Sequence, residues 1–220
     1  MRTFTERTDA GRRLGEALAH LAGTHPLVLA IPRGGVPVAA EVARAIGGTL
    51  DVIVARKVGS PESPELAIGA VTADGARYLH RETIEALHVP DAWIERAARS
   101  ASDEARAREA HLRQGRPAHE VAGRTVVIVD DGLATGSTMI AAARAVRRRH
   151  PAHLVVAVPV GAASTMAAMR DEADEVTCLA MPEPFEAVGL HYVDFGQVTD
   201  AEVDRLLAAP QLGAGAPRRV

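Results

Sequence analysis

Along the chain, short apolar runs rich in β-branched residues alternate with stretches whose apolar positions recur at helical spacing. Residues 5–22 place Ala10, Leu14, Ala17, Leu18 and Leu21 near one face, predicting a helix capped by Thr8 or Asp9. A strand over 27–31 runs into Pro32-Arg33-Gly34-Gly35. A helix over 38–46 then stops at Gly47-Gly48, and a strand over 50–55 ends on Arg56-Lys57. This is a βαβ unit with a glycine turn after its first strand, so a parallel sheet follows. Residues 59–66 combine prolines, serines and acids and read as a mobile loop. Residues 67–71 and 77–79 form a hairpin around Asp74-Gly75.

Within 81–120 the apolar positions Ile94, Ala97, Ala101, Ala105 and Leu112 repeat at helical spacing, with acids and arginines between them. The pattern predicts a long, thinly apolar helix, laid on the surface or against a partner subunit and ended by Pro117, its arginines a solvated face. A strand over 126–129 follows, then a helix with Met139, Ala142, Ala143 and Val146 inside and Arg147-Arg148-Arg149 at its dipole-negative end. Strands over 154–160 and 176–181 flank a helix over 163–170. The tail 210–220, rich in Gly, Ala and Pro, reads as disordered. The expected architecture is α/β and doubly wound, with a mostly parallel sheet in a single domain over 1–209.

Composition narrows the function. The chain has 220 residues, is 47% apolar and carries a formal charge of −3. That balance makes no electrostatic case for nucleic acid, and 3% aromatic residues leave little for base stacking. The single Cys178 lies in an apolar run and reads as a buried small hydrophobe, with no disulfide framework. No apolar leader or spanning run is present, which points to the cytoplasm and away from membranes. The nine histidines show no ligand pairing, so no structural metal site is expected.

The candidate chemistry concentrates in 126–138, V-V-I-V-D-D-G-L-A-T-G-S-T. A buried strand ends on Asp130 and Asp131, a small-residue loop follows, and a helix begins. Free backbone N–H groups and the positive end of the helix dipole would face an anion there, while paired acids suit two adjacent hydroxyls with a divalent cation nearby. Neither a G-x-x-x-x-G-K-[ST] nor a helix-opening G-x-G-x-x-G occurs here. The residues describe a site for a sugar 5-phosphate.

This stretch resembles the signature of type I phosphoribosyltransferases for 5-phosphoribosyl-1-diphosphate (PRPP). The resemblance implies that Asp130 and Asp131 hold the ribose 2- and 3-hydroxyls and that Ala134, Thr135, Gly136, Ser137 and Thr138 bind the 5-phosphate. The Arg33-Gly34-Gly35 run is similar to the first loop of the xanthine–guanine enzymes, and Arg56-Lys57 to a strand-ending pair of the adenine enzymes. Arg33, Gly34, Gly35, Arg56 and Lys57 are therefore expected on the diphosphate. Asp130, Asp131, Arg33 and Lys57 form the implied catalytic set, and Glu62 and Glu65 lie in the flexible loop.

The resemblance further implies Mg²⁺ held mainly by substrate oxygens and water, with Asp130 and Asp131 reaching it indirectly. It implies a C-terminal hood over 182–207 in which Phe185 and Asp194 meet the acceptor, and it allows a homo-oligomer. Ala134 stands where the 6-oxopurine enzymes carry an acid that assists the base. Gly132 stands where a β-branched residue or Leu is usual. The expected activity is transfer of phosphoribosyl from PRPP to a nitrogen acceptor; the alternative is a non-catalytic PRPP- or nucleotide-sensing protein on the same fold. A phosphosugar hydrolase or other phosphate-handling α/β enzyme is a third reading.

Overall fold

Continuous apolar strands need cover on both faces, and the computed structural model, which describes residues 3–209, supplies it. Five parallel strands run in the order β2-β1-β6-β7-β8: Thr49–Val52, Leu27–Ala30, Thr125–Val129, His153–Val160 and Glu175–Ala180. Alternate residues of these strands feed two cores. Val28, Ala30, Val127, Val129, Val155 and Ala157 meet helices α1 (Arg7–Ala17), α2 (Gly35–Ile46) and α7 (Asp200–Ala208). Leu27, Leu29, Val126, Ile128, Leu154 and Val156 meet α5 (Ser137–Arg147) and α6 (Ala163–Met169). The connection leaving β1 thus covers one face and the connection leaving neighbouring β6 covers the other. Their carboxyl ends open a crevice at the point where the winding reverses.

The expected strand over 50–55 is in fact two. β2 stops at Val52, and β3 (Ala55–Gly59) starts a separate antiparallel sheet with β4 (Ala67–Thr72) and β5 (Arg77–Leu79). Ile53 and Val54 are buried between them, so apolar character never breaks while the chain changes sheets. Other ends also shift. The helix after Gly34 begins at Gly35 rather than Val38. The N-cap of α1 is Glu6, because the Asp9 carboxylate instead accepts the Thr5 N–H upstream at 3.1 Å.

The stretch expected as one long helix is α3 (Arg81–Ala86) and α4 (Asp91–Arg113), and α4 ends on a left-handed Gln114 before Pro117 is reached. Its buried stripe, Ile94, Ala98, Ala101 and Ala105, packs on the antiparallel sheet and then on the main core. The antiparallel sheet's other side rests on α5. Cys178 is only partly buried and packs against the α5-side core; burial pushes its thiol pKa up.

The arginines of α4 are not simply a solvated face. Arg113, 14% exposed, donates to Asp51 Oδ1 at 3.0 Å, Glu109 Oε2 at 2.7 Å and the Val52 carbonyl at 2.7 Å. Asp51 also accepts the Val52 N–H at 2.8 Å and the His119 N–H at 3.2 Å. Burial would lower the pKa of Arg113, but the charges of Asp51 and Glu109 outweigh it and raise it. This cluster welds α4 to β2. Arg113→Met leaves the Asp51 carboxylate buried and unpaired, so chemical denaturation should show a loss of about 3 kcal/mol; an unchanged midpoint contradicts the role given to Arg113.

Candidate functional site

Asp130 and Asp131 emerge from β6 at the crevice, directly opposite the turn that leaves β1. Hydrogen bonding from Ile31 N to the Val129 carbonyl at 2.9 Å carries the sheet to this point. The glycines of the β1 turn are what allow the two loops to touch. A Cβ on Gly34 would lie 2.0 Å from Asp131 Oδ2, and one on Gly35 would lie 2.7 Å from the Val129 carbonyl and 2.9 Å from Asp130 Cα. The Pro32–Arg33 peptide bond in this turn is cis.

Each acid spends one oxygen on the protein. Asp130 Oδ1 accepts the Asp131 N–H at 2.8 Å, and Asp131 Oδ2 accepts Arg7 Nε at 2.7 Å. Tyr192 donates its hydroxyl to the Asp131 carbonyl at 2.6 Å. Burial first, and the neighbouring Asp131 charge second, push Asp130 well above the usual carboxylate range. Burial also raises Asp131, against the hydrogen bond and charge of Arg7. Burial raises the Tyr192 phenol as well, keeping it a hydrogen-bond donor.

The loop after the acids is pinned from its far side. Leu133 N–H reaches the Val160 carbonyl at 2.9 Å, and Thr165 donates to the Ala134 carbonyl at 2.5 Å. Gly136, at φ +76°, is the N-cap of α5 and has no side chain with which to cover the first-turn N–H groups. Ala134 and Thr135 are exposed, and Thr138 is partly exposed. Ser137 is buried, with its Oγ 2.7 Å from His80 Nε2.

The remaining expected residues do not all converge on the acids. Arg33 points to the hood, with Nη1 3.6 Å from Asp200 Oδ1, a carboxylate it shares with Arg108 of α4. Hydrogen bonding from Arg108 holds Asp200 below its usual pKa. Lys57 and Thr138 line the same cleft, of about 540 Å³. Arg56 lines this cleft too, 3.9 Å from Glu104 of α4 on its other wall. Glu62 and Glu65 are exposed on a loop closed by Ser60–Ser63 and Ser60–Leu66 hydrogen bonds. Phe185 stacks on His191 at 5.4 Å and packs beside Val188 and Tyr192. Asp194 accepts the Gly196 N–H at 2.9 Å and borders a small cleft beside the N-terminal segment.

Sequence reasoning missed Arg7, Tyr192, Phe195 and His80, which no spacing connects to the acids. It also left Gly132 unexplained. A Cβ there would sit 2.5 Å from Val188 Cγ1, so the glycine is what lets the hood close on the loop. Among the described residues no group of three or more His, Cys, Asp or Glu side chains is placed to hold a metal ion. Hard oxygen donors from two adjacent carboxylates still fit Mg²⁺ in the company of substrate oxygens and water. No helix among the described residues is long and apolar enough to cross a membrane.

A doubly wound parallel sheet with paired acids and an uncapped helix N-terminus at its switch point defines the class of α/β protein. The chain belongs to the phosphoribosyl transferase domain family, whose pattern it matches over residues 8–194. Two Mycobacterium tuberculosis proteins, MT0597 of strain CDC 1551 and Rv0571c of strain H37Rv, provisionally named phosphoribosyl transferases, are each 44% identical over 92% of this chain. The chain spans 46% of their length, so about half of each curated relative has no counterpart here. The crystal structure of TT1426 from Thermus thermophilus superposes with a TM-score of 0.79 and 45% identity, covering 94% of this chain and 98% of that one. A Neisseria gonorrhoeae protein crystallised with ppGpp shares the fold at a TM-score of 0.53 and 13% identity, covering 94% of this chain and 97% of that one.

The raised pKa of Asp130 has a consequence for stability. Its folded value lies above its unfolded value, so ionising it opposes folding, and stability falls as pH climbs from the ordinary Asp range through the raised value. Asp130→Asn keeps the carbonyl that accepts the Asp131 N–H and removes the charge. It should raise the thermal midpoint near neutral pH, by about 1 kcal/mol of stability, with the gain vanishing in acid. A midpoint lowered by the substitution at neutral pH contradicts this electrostatic account.

Proposed function

We propose that this protein transfers the 5-phosphoribosyl group of PRPP to a nitrogen acceptor, a nucleobase or related heterocycle, with release of diphosphate. The observation that carries the reading is the acid pair itself: two carboxylates held at the switch point, each with one oxygen left, beside an α5 N-terminus that no side chain caps. In this reading the 5-phosphate lies against the backbone of residues 134–138, and the ribose hydroxyls donate to Asp130 and Asp131. Arg33 and Lys57 meet the diphosphate, with Arg33 exchanging the Asp200 carboxylate for the substrate anion. Bound Mg²⁺ would neutralise charge on the leaving diphosphate, held by its oxygens and water, with Asp130 and Asp131 reaching it only indirectly.

A nitrogen lone pair forms the bond to C1 as the C1–O bond to diphosphate breaks, with inversion. The protein's contribution is positioning and charge neutralisation. With Ala134 in place of an acid, the loop offers the acceptor no base. The acceptor therefore needs a nitrogen that is nucleophilic without a carboxylate at that position. In this reading Phe185, Val188 and Asp194 of the hood meet the acceptor, a role supported by Val188 packing over Gly132 of the loop that follows the acids.

Incubating the protein with PRPP, Mg²⁺ and a panel of bases and amines should give diphosphate release with at least one acceptor. Asp131→Asn should lower that rate by about 100-fold, or about 2.7 kcal/mol in transition-state stabilisation. PRPP binding without release for any acceptor would instead favour the sensing role, and no PRPP binding would remove both readings.

A further inference from the structure

Arg7 is the first residue of α1 and lies 124 positions from the acid it pairs with. Nothing in α1 accounts for an arginine there, since a cation at a helix N-terminus is opposed by the helix dipole. Its surroundings account for it. Nε donates to Asp131 Oδ2 at 2.7 Å and Nη1 to the Gly196 carbonyl at 2.7 Å, while the guanidinium lies 3.8 Å from the centroid of the Phe195 ring. Arg7 and Asp131 are only 12% and 14% exposed. Phe195 rests on Gly189, where a Cβ would come within 2.8 Å of its ring, and against Tyr192, whose hydroxyl holds the Asp131 carbonyl. The N-terminal segment and the hood thus close on one carboxylate of the donor site from behind.

We propose that Arg7 is a positioning residue for the ribose, fixing Asp131 so that its Oδ1, and not its Oδ2, is presented to the 2-hydroxyl. The inference rests on the PRPP reading of the site and deepens it. Asp130 Oδ1 is spent on the Asp131 N–H and Asp131 Oδ2 on Arg7, so Asp130 Oδ2 and Asp131 Oδ1 are the oxygens left for a ligand. Two oxygens from adjacent residues match two hydroxyls on adjacent ribose carbons. A planar guanidinium engaged on three sides, by carboxylate, carbonyl and ring, holds that geometry; an ammonium can satisfy only part of it. Without Arg7, Asp131 would be free to turn about its side-chain torsions, and two neighbouring carboxylates would lose the nearest compensating cation.

The test compares wild type, Arg7→Met and Arg7→Lys by calorimetric titration with PRPP and Mg²⁺, then with ribose 5-phosphate, 2-deoxyribose 5-phosphate and inorganic diphosphate. Wild type should prefer ribose 5-phosphate to its 2-deoxy analogue. In Arg7→Met the PRPP dissociation constant should rise about 30-fold, equivalent to about 2 kcal/mol, and the preference for the 2-hydroxyl should fall to about twofold or less. Diphosphate, which has no hydroxyls to position, should bind as in wild type, and Arg7→Lys should restore part of the preference.

A preference unchanged in Arg7→Met overturns the proposal, as does an equal loss for diphosphate, which would mark a general structural role. Should Arg7→Met not fold, Arg7→Lys carries the same comparison, and a full wild-type preference in it counts against the proposal. Wild-type protein that binds no PRPP overturns the functional reading itself, a result separate from any effect of Arg7.

Discussion

Two carboxylates on consecutive residues at the end of a buried strand repel one another and lose solvation together, and much of the crevice is arranged around that cost. Asp130 is met by the N–H of its neighbour, and Asp131 by the guanidinium of Arg7. The glycines of the β1 turn allow main chain to approach where any side chain would collide with the acids. Tyr192 holds the Asp131 carbonyl from the hood. The compensation is incomplete, since both acids stay above their usual pKa. Carboxylates perturbed by burial and by a like charge in a cleft mark a candidate functional site.

The loop after the acids and the hood are built differently. The loop is tied to the main sheet through Leu133 and Val160 and to α6 through Thr165, which fixes its backbone. The hood is a set of short segments, closed by contacts such as Val188 on Gly132 and Phe185 on His191. Arg33 and Arg108 converging on Asp200 add an anion already lodged where the hood meets the β1 turn.

The parallel sheet was legible because its strands are covered on both faces: runs such as Val126 to Val129 have no polar alternation to confuse with an exposed strand. The acid pair and the loop after it were legible because strand, carboxylates, glycine and helix start are contiguous. What escaped was tertiary. Ile53 and Val54 keep the apolar run unbroken across the change of sheets, so β2 and β3 read as one strand. The arginines of α4 looked like a solvated face because Asp51, the partner that buries Arg113, lies 62 residues earlier. Arg7 sits in a polar N-terminal stretch, and only the folded chain brings it to Asp131. Gly132, an unexplained departure in sequence, becomes a packing requirement once Val188 is placed over it.

The central claim is that the crevice between β1 and β6 is a PRPP site. Calorimetric titration of the unmodified protein with PRPP in the presence of Mg²⁺ tests it without knowledge of the acceptor. One binding event per chain, weakened by competing ribose 5-phosphate, is the result this account predicts. No heat of binding up to millimolar PRPP, from protein that unfolds cooperatively and is therefore intact, would contradict it.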